Sequence, residues 1–460
     1  MSGLPRGWTS TTLESLVGFD GLFSDGDWVE SKDQDPSGAI RLLQLADVGD
    51  GKFLNKSRRF LNDEQFKRLR CTEVLAGDVL IARMPDPLGR ACIVPSLNQR
   101  CVTVVDVAIV RPDTASANPR WLMHFLNSQW IRQTIESEAS GTTRRRISRG
   151  KLAKLQLPLP PLPEQKRIAD KLDALLARVD ACRERLDRVP AILKRFRQSV
   201  LAAATTGELT REWREDRGLS LDDWRVVELK EICESIADGD HQAPPKSNCG
   251  IPFITISAIN SGQLRLDQAT RFVPESYFQS LRPERRARLG DVLYSVTGSI
   301  GIAALVETGE PFVFQRHIAV LRPRSGATTG RFLRYRLMAD DIKQQAEAVA
   351  TGTAQLTIPL GGLRSFSFGL PTIEEQEEIA RHIDNAFALI AVAEAAVERG
   401  QTMVSTLVPA TLAKAFRGEL APQDPNDEPA AALLARIAAQ RDHAPPAARG
   451  RGRVATGKRP

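Results

Sequence analysis

Two loops at matching places in this chain carry side chains suited to recognition rather than bond-making. Gly141-Thr142-Thr143-Arg144-Arg145-Arg146 has a counterpart 211 residues on, Gly352-Thr353-Ala354-Gln355-Leu356-Thr357. Upstream, Ala82-Arg83-Met84-Pro85-Asp86-Pro87-Leu88-Gly89-Arg90 is matched by Ser295-Val296-Thr297-Gly298-Ser299-Ile300-Gly301. Arginine presents a fork of donors that fits guanine, and glutamine a donor–acceptor pair that fits adenine, each good pair giving ~1–3 kcal/mol of discrimination. Clustered Lys and Arg also hold phosphates without reading a base. The candidate DNA-contacting residues are therefore Arg83, Arg90, Arg144, Arg145, Arg146, Thr297, Ser299 and Gln355, with His241 and Lys246 from the loop Asp238 to Lys246. For Arg144 to Arg146, phosphate contact leads over base contact and over a solvated loop. A structural salt bridge competes evenly for Arg83 and Arg90, and a plain turn for His241.

Bond-making chemistry leaves no comparable trace. Gly298-Ser299-Ile300-Gly301 lacks the lysine of a phosphate-binding loop. There is no Asn-Pro-Pro-Tyr-type motif with which an amino-methyltransferase would grip a flipped base. Glu164-Gln165-Lys166 has the acid-x-lysine spacing of a nuclease site, yet it opens a helix whose repeat has Glu377 in place of the lysine. A helix start matched to its own dipole is the better reading. The histidines (His124, His241, His317, His382, His443) are scattered, and the six cysteines form no CxxC pair. They read as small core hydrophobes in a reducing compartment. The predicted chain is non-catalytic and binds no metal or cofactor of its own.

The loops need a scaffold, and the scaffold is a duplication. Glu164-Gln165 recurs as Glu375-Gln376, Ile168-Ala169 as Ile379-Ala380, Asp173 as Asp384, and Gly207-Glu208-Leu209 as Gly418-Glu419-Leu420, all at an offset of 211. That period is far too long for a solenoid. Ile168, Leu172, Leu175, Val179, Cys182, Leu186, Val189, Leu193, Phe196 and Val200 alternate spacings of four and three, a heptad seam on a long helix. The second arm repeats the seam more weakly through Ile379, Ile383, Ala386, Ile390, Ala393, Val397, Gly400, Val404 and Leu407. Thr372 and Glu375 have capping-box spacing, and Gly207 and Gly418 suit helix C-caps. Pro190 and Gly400 predict a kink or break in mid-arm. Each arm would reach ~65 Å if continuous. A compact head joining the end of one arm to the start of the other makes the two antiparallel.

The heads repeat too. Gly77-Asp78-Val79-Leu80 reappears as Gly290-Asp291-Val292-Leu293, and Val107-Ala108-Ile109-Val110-Arg111-Pro112 as Ile318-Ala319-Val320-Leu321-Arg322-Pro323. Short β-rich runs broken by Gly, Asp and Pro, then helical patches near Trp121–Glu138 and Phe332–Ala348, predict α+β heads with a small antiparallel sheet. The expected divisions are a first head over 1–155, a first arm over 156–210, a second head over 211–366, a second arm over 367–420, and a tail over 421–460. The tail predicts a short helix from Asp427-Glu428-Pro429 to about Gln440, then a disordered basic end.

Hydrophobic residues are 42% and charged residues 26% of the 460, which predicts a globular chain, and the net charge of +7 favours an acidic partner. No apolar run reaches the ~20 residues of a membrane span, and the expected location is cytoplasmic. The Pro-Leu-Pro-x-x-x-Glu-Gln arm start from Pro158 to Gln165, its counterpart from Leu370 to Gln376, the Gly-Glu-Leu arm ends and the Gly-Asp-Val-Leu and Arg-Pro turns, in that order twice over, resemble the specificity (HsdS) subunit of type I restriction–modification systems. The resemblance runs from Leu4 to about Ala421. It implies two target-recognition domains related by a pseudo-two-fold axis, each reading half of a split site on double-stranded DNA. It also implies a coiled-coil spacer that sets the gap and docks two methylation (HsdM) subunits. Motor-nuclease (HsdR) subunits complete the complex, and S-adenosylmethionine, ATP and Mg belong to the partners. The competing reading is a scaffold for protein partners whose basic charge is incidental.

Overall fold

The computed structural model describes residues 3–18, 20–142, 144–239, 244–353 and 355–443. It divides into two compact units, the described parts of Met1–Arg185 with Gly400–Pro460, and Leu186–Arg399.

In the first unit, β1 (Thr9–Thr12) pairs antiparallel with β9 (Gln156–Leu159), Thr9 facing Leu159. Between them lie β2 (Leu22–Asp25), β3 (Ile40–Leu43), β4 (Phe60–Leu61), β5 (Val79–Ala82), β6 (Ala91–Ile93), β7 (Cys101–Thr103) and β8 (Val107–Arg111). They make a four-stranded antiparallel sheet, β2-β8-β5-β6, and a three-stranded sheet, β4-β3-β7. The central strands are apolar on both faces because both faces are covered. Val79, Ile81, Ala108 and Val110 meet Trp121, Leu122 and Phe125 of the helix Pro119–Leu126. Leu80, Ala82, Val107 and Ile109 meet Leu43 and Cys101 of the second sheet, with Val48 from the loop after β3. The expectation of one small antiparallel sheet is corrected here: each head has two sheets, and β3 pairs parallel with β7. The chain passes through β5 and β6 before it returns, so it re-enters beside β3 in the same direction.

The second unit repeats this with β10 (Arg225–Glu228), β11 (Cys233–Asp238), β12 (Ile251–Ile254), β13 (Arg271–Val273), β14 (Val292–Ser295), β15 (Ala303–Leu305), β16 (Val313–Phe314), β17 (Ile318–Pro323) and β18 (Ser367–Leu370). The sheet orders are β11-β17-β14-β15 and β13-β12-β16, with β10 on β18. The two head motifs prove to be partners. Asp78 takes both donors of Arg111 at 2.6 and 2.7 Å, and Asp291 takes Arg322 at 3.2 and 3.0 Å.

The arms are helices of 44 residues, Leu162–Thr205 and Ile373–Phe416. In the first unit Ile168 and Leu172 share the head core with Leu412 and Ala415, so the start of one arm lies by the end of the other. In the second unit Ile379 and Ile383 share a core with Val200, Leu201 and Ala204. Both units therefore hold their arm segments antiparallel. Leu175, Val179, Leu186, Leu193 and Val397 are half-buried and Ile390 is buried, while Cys182 and Phe196 are exposed. The predicted break does not occur: helix runs through Pro190 and Gly400. A proline inside a helix costs ~3 kcal/mol or more, which many turns of flanking helix absorb. Gly207 and Gly418 end the arms at φ +75° and +76°, a conformation that glycine takes without strain.

After Gly418 the chain folds back on the first head. The helix Ala430–His443 buries Ala430, Leu433 and Ile437. The Ala430 N–H donates to the Gly7 carbonyl at 2.9 Å, and Arg167 pairs with Asp427 at 2.5 Å. The predicted basic end, 444–460, lies outside the described residues.

Candidate nucleic-acid interface

The repeated Glu-Gln at each arm start fixes how the heads present their loops. Trp8 Nε1 donates to Glu164 at 3.0 Å, and Trp224 Nε1 to Glu375 at 2.9 Å. Gln165 accepts from the Asn118 N–H at 2.9 Å and donates to the Pro160 carbonyl at 3.0 Å. Gln376 accepts from Thr328 Oγ1 and the Thr329 N–H, and donates to the carbonyls of Pro371 and Ala327. About two turns on, Asp173 takes Arg120 and His124, and Asp384 takes Arg331 and Tyr335. All of these side chains join head to arm. The predicted capping box is only half present. The Glu375 N–H donates to Thr372 Oγ1 at 3.3 Å, but the Glu375 carboxylate turns inward to Arg214 at 2.5 Å and Thr210 at 2.7 Å. Glu164 has no such arginine. One of its oxygens is buried without a partner, and burial pushes its carboxyl up while the Trp8 N–H opposes.

On this base the two candidate loops are closed by the same backbone bonds. Ser140 and Arg146 exchange backbone hydrogen bonds at 2.9 Å, and Thr351 and Thr357 do so at 2.8 Å. Gly141 turns at φ +97° and Gly352 at φ +101°. The following residue clips each hairpin to the end of a central strand, Ile147 N–H to the Arg83 carbonyl at 3.1 Å and Ile358 N–H to that of Val296 at 2.7 Å.

The arginine run separates by role. Arg144 is exposed and has no hydrogen bond or ion pair among the described residues. Arg145 donates to the Glu136 carbonyl at 2.5 Å. Arg146 bonds the Val105 carbonyl at 3.0 Å and pairs with Asp106 at 3.2 Å. Arg83 and Arg90 face inward, 5% and 8% exposed. Arg83 binds Asp25 and the carbonyls of Ile147 and Val105, and Arg90 binds the carbonyls of Val48, Leu45, Pro87 and Met84. Burial lowers the pKa of both, so each needs those acceptors. For these two residues the geometry favours the internal structural role over contact with a ligand.

Beside the first hairpin lies an open groove of about 690 Å³, lined by Asp27, Trp28, Gln44, Met84, Asp106 and Arg144, among others. Sequence reasoning missed Asp27 and Trp28. Trp28 is 62% exposed, a signal that appears only once the fold leaves it uncovered. Burial pushes the Asp27 carboxyl up to about 6, against the Thr72 N–H and the Cys71 thiol, which pull it down.

In the second head Thr297, Ser299 and Gln355 come together. Thr297 bridges Thr357, the Gly298 N–H donates to the Leu356 carbonyl at 2.9 Å, and a Cβ on Gly298 would sit 3.1 Å from Gln355 Nε2. Lys246 is exposed, with no contact that ties it to this group. His241 lies outside the described residues. Among the described residues no cluster of three or more His, Cys, Asp and Glu could hold a metal, and no helix is long and apolar enough to cross a membrane.

The type I restriction modification DNA specificity domain matches this chain twice, over residues 38–191 and 221–398. The type I restriction enzyme EcoBI specificity subunit of Escherichia coli is 33% identical over 345 residues, 70% of this chain and 72% of that one. The StySPI specificity subunit of Salmonella potsdam is 30% identical over 424 residues, covering 87% and 89%. The crystal structure of the HsdS subunit from Thermoanaerobacter tengcongensis is similar in fold, with a TM-score of 0.62 at 24% identity over 91% of this chain and 98% of that one. Two matched domains on duplicated heads, each followed by a long helix, place the chain in one family: it is a type I restriction–modification DNA specificity subunit.

Proposed function

We propose that each head reads one half of a bipartite, asymmetric site on double-stranded DNA, and that the arms set the gap and dock two HsdM methylation subunits. The chain itself is non-catalytic in this reading. HsdM brings S-adenosylmethionine and the methyl transfer, and HsdR brings ATP- and Mg-dependent motor and nuclease chemistry. The observation that carries the reading is the matched pair of hairpins, closed by the same backbone bonds and unlike in side chain. Exposed apolar residues at helical spacing, Leu389 with Val392 and Ile192 with Phe196, support docking on the arms.

Methylation mapped by single-molecule sequencing, in cells carrying this chain with its cognate HsdM, tests it. A split motif with unlike halves and a fixed gap is expected. No modification, with the complex shown to assemble, would sink the reading in favour of a scaffold.

A further inference from the structure

We propose that Arg144 and Gln355 are matched specificity determinants, Arg144 reading a guanine in one half-site and Gln355 an adenine in the other. The inference rests on the two-reader function above and goes beyond it by naming the residue and the base in each head.

The two side chains leave equivalent points. Each sits three residues after a glycine with nearly the same positive φ, inside a hairpin closed by the same pair of backbone bonds and clipped to the same strand end. A Cβ on Gly141 would lie 2.6 Å from the Arg144 carbonyl oxygen, and one on Gly352 would lie 2.5 Å from that of Gln355, so the turns agree closely. Both side chains are exposed, and neither has a hydrogen bond or ion pair among the described residues. Their polar atoms are free for a ligand.

Comparing the copies separates phosphate contact from base contact. A charge-assisted phosphate contact is open to Arg144 and closed to Gln355, which could give a phosphate only a neutral amide hydrogen bond. Arginine and glutamine share a planar end with two polar atoms side by side, which is what a purine edge in the major groove requires: O6 and N7 of guanine for arginine, N6 and N7 of adenine for glutamine. The surroundings agree. The groove beside Arg144 is lined by Asp27, Glu30 and Asp106 as well as Arg146, with Asp106 paired to Arg146 and Glu30 to Lys32, so it is not the run of unpaired cations that a phosphate tract would favour. Gln355 lies among the Thr297 and Ser299 loop, which offers hydroxyls and no charge.

The test exchanges the two residues in the full chain, assembled with its methylation subunits, and maps the modified motif. Arg144→Gln should change a G·C to an A·T pair at one position of one half-site. Gln355→Arg should make the converse change in the other half. Gap and remaining positions should stay as in the wild type, and preference for the old base should fall roughly tenfold to a hundredfold. Arg144→Lys keeps the charge and loses the fork, and should relax that one position. The proposal is overturned if the exchanges leave the motif unchanged, or if Arg144→Lys keeps full discrimination, which would mark a phosphate contact. If an exchange variant assembles but modifies nothing, the Arg144→Lys result decides alone. Absence of any split motif in the wild type would instead refute the two-reader function.

Discussion

At the scale of residues, the joint and the groove make separate predictions. Arg214 and Glu375 are 6% and 2% exposed and paired, whereas Glu164 takes one hydrogen bond, from Trp8, and no ion pair, with Arg167 acting on it only at longer range. Arg214→Ala leaves a buried carboxylate uncompensated and should cost about 3–5 kcal/mol of stability. Glu164→Gln removes a charge that forms no ion pair with an arginine and feels Arg167 only at longer range, and should cost under about 1 kcal/mol. Denaturant titration of both variants checks the contrast, and equal losses would contradict it. Asp27 keeps its proton up to about pH 6 when folded and releases it near ~3.9 when unfolded. Its contribution to stability is complete below about pH 4 and is lost as pH rises to about 6. Asp27→Asn should flatten the stability profile across that window, and an unaltered profile would show that Asp27 is not its source. These residues also mark the limit of reading a sequence. Offset alone showed that Glu164-Gln165 and Glu375-Gln376 repeat, but not that they bind the heads to the arms. Arg83 and Arg90 sit in a Gly- and Pro-rich loop where a structural salt bridge and a DNA contact compete evenly, and only the fold shows both guanidinium groups buried on internal acceptors.

At the scale of elements, the arms were the most legible, because a heptad seam is a local pattern that needs no knowledge of its partner. The second sheet was the least legible, because Leu43 and Thr103 become neighbours only through a long-range parallel pairing. Pro190 predicted a kink or a break by its local chemistry, and the helix runs through it without a break. If the arms set the gap as proposed, inserting one heptad near Val189 adds ~10.5 Å of helix, about three base pairs at ~3.4 Å each. The mapped motif should then keep both half-site sequences and change its gap. A change in either half-site sequence would refute a spacer role.

For the whole molecule, each unit has its own core, and the first is closed by the returning C-terminal helix. Leu433 is 2% exposed within that closure. Leu433→Asp should release the helix and speed hydrogen exchange in the first head, leaving β14 and β17 protected. Equal loosening of the second head would mean that the two units open as one. The hairpins have a further consequence, which concerns how such a molecule changes over generations. Neither Arg144 nor Gln355 supports its own fold, so replacing either costs little stability. An arginine codon CGA or CGG becomes a glutamine codon by a single transition, and the reverse is equally short. Under the proposed reading, a lineage can rewrite one letter of its recognition sequence by one nucleotide change, without passing through an unfolded intermediate.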